Sequence, residues 1–104
     1  IVCGGDLLFT SGQIGLADGA IVEGGLEAQL RQVFVNLRDV LSSANASLAD
    51  VVKTTVFLVD MADYAVMNDI YVGEFGDHRP ARSAVAVAKL PLGAQIEIEA
   101  VATV

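Results

Sequence analysis

The sequence contains one cysteine, one histidine, no tryptophan and two prolines among its 104 residues. A lone cysteine, Cys3, excludes an internal disulfide and suits a reducing compartment, so a cytoplasmic location is expected. One histidine and one cysteine leave too few ligands for a structural zinc site. Cations are scarce as well: six against thirteen acids, a net charge of −7. Arg31, Arg38, Lys53, Arg79, Arg82 and Lys89 form no run. A surface of this sign repels phosphate backbones and anionic membranes, and no nucleic-acid footprint shows. Long apolar runs are missing too. The longest, Ala84–Ala88, stops at Lys89, far short of a membrane span. No basic-plus-apolar leader opens the chain. It begins at Ile1 in a stretch that already reads as strand, so an N-terminal segment of the full protein is expected to precede it.

What is plentiful is apolar side chain, at 54% of residues with a mean hydropathy of +0.58. The length fits a single domain over residues 1–104 with one core. Apolar surplus without a membrane span suggests burial against other copies of the chain.

The periodicity gives an element order. "DLLFTSGQIGL" (6–16) reads as a strand that breaks at its glycines, and "ADGA" (17–20) as a turn centred on Asp-Gly. Leu26, Leu30, Val33, Leu37 and Leu41 recur at helical spacing, with Glu27 and Arg31 as an i,i+4 pair off that stripe. That helix is expected to end near Ala44, at "NAS". "DVVKTTVFLVD" (50–60) is the clearest strand, dense in β-branched residues. Asp63 is placed as the N-cap of a second helix, with Tyr64, Met67, Tyr71 and Phe75 on one side. "GDHRP" (76–80) reads as a polar loop with His78 solvated. Strands over 81–88 and 95–104 flank the turn "KLPLGA", the last alternating Ile and Glu. The expected architecture is α+β: two helices on one face of a mixed, mostly antiparallel sheet. Nothing is left to cover the other sheet face, so association through it is expected.

Arg82 is the strongest chemical candidate. A guanidinium never loses its proton, and against apolar surroundings it needs an anion. Glu97 or Glu99 could supply one as an ordinary ion pair. Alternatively, the small side chains Ala84 and Ala86 on the Arg82 face leave room for a carboxylate ligand. Glu97 and Glu99 share one face of the last strand; a solvated acidic strand is the commoner use of such a pair, and proton transfer by one of them is the functional alternative. "TSGQ" (10–13) places the Ser11 hydroxyl beside the Gly12 backbone, ordinarily turn chemistry. Asn68 falls inside the second helix. Ser11 and His78 do not make a nucleophile–base pair, and no phosphate-cradling loop is present.

"FTSGQIG" (9–15), "NLRDVLSSA" (36–44), "VVKTTVFLVDM" (51–61), "MNDIY" (67–71), "RPARSAV" (79–85) and "LPLGAQIEIEAVA" (90–102) together resemble the Rid/YjgF family of reactive-intermediate deaminases, also labelled endoribonuclease L-PSP. They run in family order along nearly the whole chain. The resemblance implies a chorismate-mutase-like fold, a homotrimer with clefts between subunits, and no cofactor or metal. It implies hydrolysis of enamine/imine intermediates such as 2-aminoacrylate to a 2-oxo acid and ammonia. By the same resemblance the substrate-carboxylate arginine falls on Arg82 and the acid that handles water on Glu97. Ser11, Gly12 and Asn68 line the pocket. At Ala84, where many members carry cysteine, the backbone carbonyl holds the substrate nitrogen. The family's upstream Gly-Pro-Tyr segment has no counterpart in these residues. Two other readings are a trimer that only binds small carboxylates and, against the charge balance, an RNA-cleaving protein.

Overall fold

A computed structural model describes residues 1–104. The chain opens with a tight hairpin, β1 (Val2–Gly4) and β2 (Leu7–Phe9), turning at Gly5 and Asp6, where Gly5 takes a positive φ. The strand read over 6–16 breaks before its glycines, as their positions lead one to expect. Past Phe9 it pairs with the last strand at only two points, Thr10 with Ala100 and Gln13 with Ile98. Ser11 and Gly12 therefore lie opposite the single residue Glu99, a bulge that turns the chain off the sheet. A two-residue ribbon follows, β3 (Leu16–Ala17) and β4 (Ala20–Ile21), joined through Asp18 and Gly19 at positive φ as the Asp-Gly signal requires.

Helix α1 (Gly25–Ser42) buries Leu30, Val33, Leu37 and Leu41 of the stripe expected from spacing; Leu26 is only half-buried, and Phe34, outside that stripe, is buried too. Glu27 and Arg31 pair at 3.2 Å on its outer side. It ends as "NAS" foretells: Asn45 is left-handed, and the Ala46 amide returns to the Leu41 carbonyl. β5 (Val51–Leu58) follows, then α2 (Tyr64–Phe75), then β6 (Ala81–Ala86), which lies parallel to β5 through that helical crossover. β7 (Ile96–Thr103) runs antiparallel between β2 and β5 and completes the sheet order β1-β2-β7-β5-β6. The architecture is α+β, with a mixed, mostly antiparallel sheet.

One local expectation is refined and one corrected. Asp63 stands at the N-cap of α2 as expected, but its side chain accepts no capping bond; Asp60 Oδ1 accepts the Ala62 amide at the head of a short 3-10 turn that leads into α2. His78 is not a solvated loop residue. It is half-buried, its Nε2 lies 2.6 Å from the Val51 carbonyl, and its ring sits beside Phe75. Together these contacts tie the end of α2 to the start of β5.

The core lies between the helices and one sheet face. Leu8, Val51, Val56, Leu58, Ile96 and Ile98 meet the α1 stripe, while Met67, Tyr71 and Phe75 descend from α2. Phe34, Tyr71 and Phe75 form an aromatic cluster with centroids 4.8–5.9 Å apart. Alternation sends Glu97, Glu99 and Val101 of β7 to the opposite face, with Phe57 of β5, Val85 of β6 and Phe9 of β2. No element of the chain covers that face: Phe9 stays 44% exposed and Val85 42%.

Candidate active site

Register decides which candidates can meet. Arg82 stands opposite Thr54, which stands opposite Ala100, both buried on the helix side. Arg82 and Ala84 therefore point toward the helices. Glu97 stands opposite Phe57, which stands opposite Val85, on the uncovered side. Three residues of strand rise and two inter-strand spacings put about 14 Å of backbone between Arg82 and Glu97, with side chains leaving opposite faces. Each anchors its own cluster.

The Arg82 cluster is built by α2. Its Nη1 donates to Asn68 Oδ1 at 2.9 Å and its Nη2 to the Tyr64 hydroxyl at 2.7 Å. Its Cζ lies 4.7 Å from the Tyr71 ring centroid, a cation–π contact worth about 0.5–1 kcal/mol when partly exposed. Tyr71 is in turn fixed from below, its hydroxyl 2.6 Å from Thr54 Oγ1. Burial pushes the Tyr71 phenol above its ordinary range, against the lowering effects of the Thr54 hydrogen bond and the Arg82 and Arg79 charges. It stays a neutral platform. Every partner of Arg82 is neutral. The two ion pairs of the chain are Arg31–Glu27 and Arg38–Glu74, so neither Glu97 nor Glu99 neutralises Arg82.

The second cluster forms at the bulge. The Thr10 amide donates to the Ala100 carbonyl, and the Ala100 amide donates to Thr10 Oγ1, both at 3.0 Å. This pins the chain as Ser11 and Gly12 leave the ladder. Ser11 is exposed. The Glu97 carboxylate lies directly over Gly12: a Cβ there would stand 2.6 Å from Oε2 and 2.7 Å from Cδ. Asn36 of α1 holds the outgoing segment through the Ile14 and Leu16 carbonyls, both at 3.0 Å. Glu97 and Gly12 border an open cleft of about 550 Å3, with Gln13, Asn36, Asp39 and Pro91 on its other sides. Glu97 makes no hydrogen bond or ion pair, so its carboxylate is available. Gly12→Ala is expected to push that carboxylate aside with Tm lowered by only a few degrees; a crystal structure of the variant with Glu97 unmoved would contradict this.

The structure thus bonds Arg82 to Asn68, with Ala84 further along the same face of β6, and sets Glu97 over Gly12, with Ser11 beside it in the bulge, but it does not join the two groups within one chain. Tyr64, Tyr71 and Thr54 escaped sequence reasoning, since the tyrosines read as one apolar helical stripe. A signal was present: Tyr64, Asn68 and Tyr71 at i, i+4 and i+7 form a row of polar-tipped side chains on one helix face.

A mixed sheet carrying two helices on one face agrees with the solved structures this chain resembles. The family profile described as endoribonuclease L-PSP matches residues 1–104. A RutC family protein of Pyrococcus horikoshii is 48% identical over 100 residues, covering 94% of this chain and 79% of that protein. The rat 2-iminobutanoate/2-iminopropanoate deaminase is 43% identical over 97 residues, covering 91% and 71%. The crystal structure of E. coli TdcF with bound serine superposes with a TM-score of 0.90 at 36% identity, covering 99% of this chain and 84% of that one. The chain belongs to the Rid/YjgF (endoribonuclease L-PSP) family. No helix is long and apolar enough to cross a membrane.

Proposed function

We propose that this protein hydrolyses small 2-imino acids, the imines of 2-oxo acids, to the 2-oxo acid and ammonia. The observation that carries the reading is Arg82: a fixed guanidinium oriented by neutral oxygens, its charge left for a carboxylate from outside. The likeness to the rat deaminase supports the substrate class, and serine bound to TdcF is itself a small α-amino carboxylate.

The two clusters become one site when copies associate. The uncovered sheet face, with Phe9, Phe57, Val85 and Val101, supplies an apolar surface for this, and a chorismate-mutase-like homotrimer closes it symmetrically. Each cleft then receives Arg82, Asn68 and Ala84 from one subunit and Ser11, Gly12 and Glu97 from its neighbour. Arg82 clamps the carboxylate and the Ala84 carbonyl accepts a hydrogen bond from the imine nitrogen. Glu97 takes a proton from water as the water oxygen bonds to the imine carbon and the C=N pair moves onto nitrogen. The protonated Glu97 passes that proton to the nitrogen, giving an amino carbinol. The carbinol proton then moves through Glu97 to the amine; the oxygen pair forms C=O, the C–N pair leaves with ammonia, and Glu97 is again a carboxylate. Imines hydrolyse unaided, so positioning and modest proton transfer suffice. A reducing compartment such as the cytoplasm suits the exposed thiol of Cys3.

The test generates an imine in situ with an amino-acid oxidase and follows its loss. EDTA-treated protein is expected to accelerate the loss for at least one small aliphatic imine. Saturable binding of 2-oxo acid without acceleration would move the protein to a carboxylate-binding role.

A further inference from the structure

We propose that Tyr64 is a positioning residue for Arg82, holding the guanidinium for a small carboxylate through its hydroxyl; this rests on reading Arg82 as the carboxylate clamp. Tyr64 opens α2 and is 38% exposed, outside the aromatic cluster that Phe34, Tyr71 and Phe75 make in the core. Packing therefore gives little reason for a tyrosine there. Its one polar contact is the 2.7 Å bond from Arg82 Nη2, and its ring also stands 5.6 Å from the Arg82 Cζ.

The arrangement fixes the fork from three sides without cancelling it. Asn68 takes one N–H of Nη1, Tyr64 takes one of Nη2, and the Tyr71 ring backs the plane at 4.7 Å. A guanidinium has five N–H groups, so three remain, enough for a two-bond grip on a carboxylate. An acidic residue in place of Tyr64 would hold the fork equally well but neutralise it. A neutral hydroxyl fixes orientation and leaves the field intact. Asn68 alone would leave the Nη2 end free to rotate, and ordering a loose arginine on ligand binding costs affinity.

The experiment is Tyr64→Phe, which removes one partly exposed oxygen and keeps the ring. Three quantities are measured on mutant and wild type: Kd for 2-oxobutanoate by calorimetry, the kcat and KM for imine loss, and exchange of the Arg82 Nη protons by 15N NMR. Freeing one rotamer-rich side chain predicts Kd and KM about 2- to 10-fold higher, kcat within twofold, faster Nη rotation and an unchanged Tm. A purely structural Tyr64 would shift Tm and leave Kd, KM and Nη rotation alone, which overturns the proposal. Wild-type protein that fails to bind 2-oxobutanoate overturns the clamp reading and the proposal together. Wild-type binding that Tyr64→Phe leaves untouched overturns the proposal alone.

Discussion

Arg82→Lys is expected to lower kcat/KM by about 10- to 100-fold, the equivalent of losing one charge-assisted hydrogen bond of about 1.5–3 kcal/mol. Lysine keeps the charge, so long-range attraction of an anionic substrate survives. It has no planar fork, cannot hold a carboxylate with two parallel bonds, and cannot bridge Asn68 and Tyr64 from a single nitrogen. Stability should change little. Arg82 has no carboxylate partner whose charge would be stranded, and the Tyr64 side chain it releases is already partly in water. Melting temperature and steady-state kinetics on the same preparation separate the outcomes. A stable protein with crippled turnover fits a clamp, whereas a melted protein, or full activity, contradicts it.

Glu97→Gln is expected to reduce turnover by about 100- to 10,000-fold, the usual contribution of a positioned proton-transfer group. Glutamine matches glutamate in shape, so it can still sit over Gly12 and hold a water, but it cannot take that water's proton. The fold has little to lose, because the Glu97 carboxylate bonds to nothing in the chain. KM should stay near the wild-type value, as Arg82 still grips the carboxylate. Circular dichroism, Tm and kcat check this. A wild-type kcat would make Glu97 a surface acid, and a lost fold would make it structural.

Much of the frame was legible because its signals are local. The α1 stripe, the Asp18-Gly19 turn, the "NAS" stop and the Ile/Glu alternation of β7 each follow from backbone preference and period. The break of segment 6–16 at Gly12 was legible from its glycines. Its form was not: only pairing with β7 shows that Ser11 and Gly12 together face a single residue. Asp63 holds the N-cap position of α2 without a capping bond, because a 3-10 turn precedes the helix and the carboxylate that accepts a backbone amide is that of Asp60. His78 reads as loop until β5 comes near enough to bond it. The resemblance named Arg82, Glu97, Ser11, Gly12, Asn68 and Ala84. Spacing could not tell that they divide between the two faces of a sheet, because that depends on the parallel register of β5 and β6. The hands that hold Arg82, Tyr64 and Tyr71, were hidden as members of an apolar stripe.

That division makes one measurement the most direct. Arg82→Ala and Glu97→Gln chains are each purified, confirmed to be inactive, then unfolded together in equal amounts and refolded. If each cleft takes Arg82 from one subunit and Glu97 from the next, random assembly of a cyclic oligomer rebuilds about a quarter of the clefts with both residues intact. The mixture should then recover about a quarter of wild-type activity, while either variant refolded alone stays inactive. A mixture as inactive as its components would contradict a site shared between subunits.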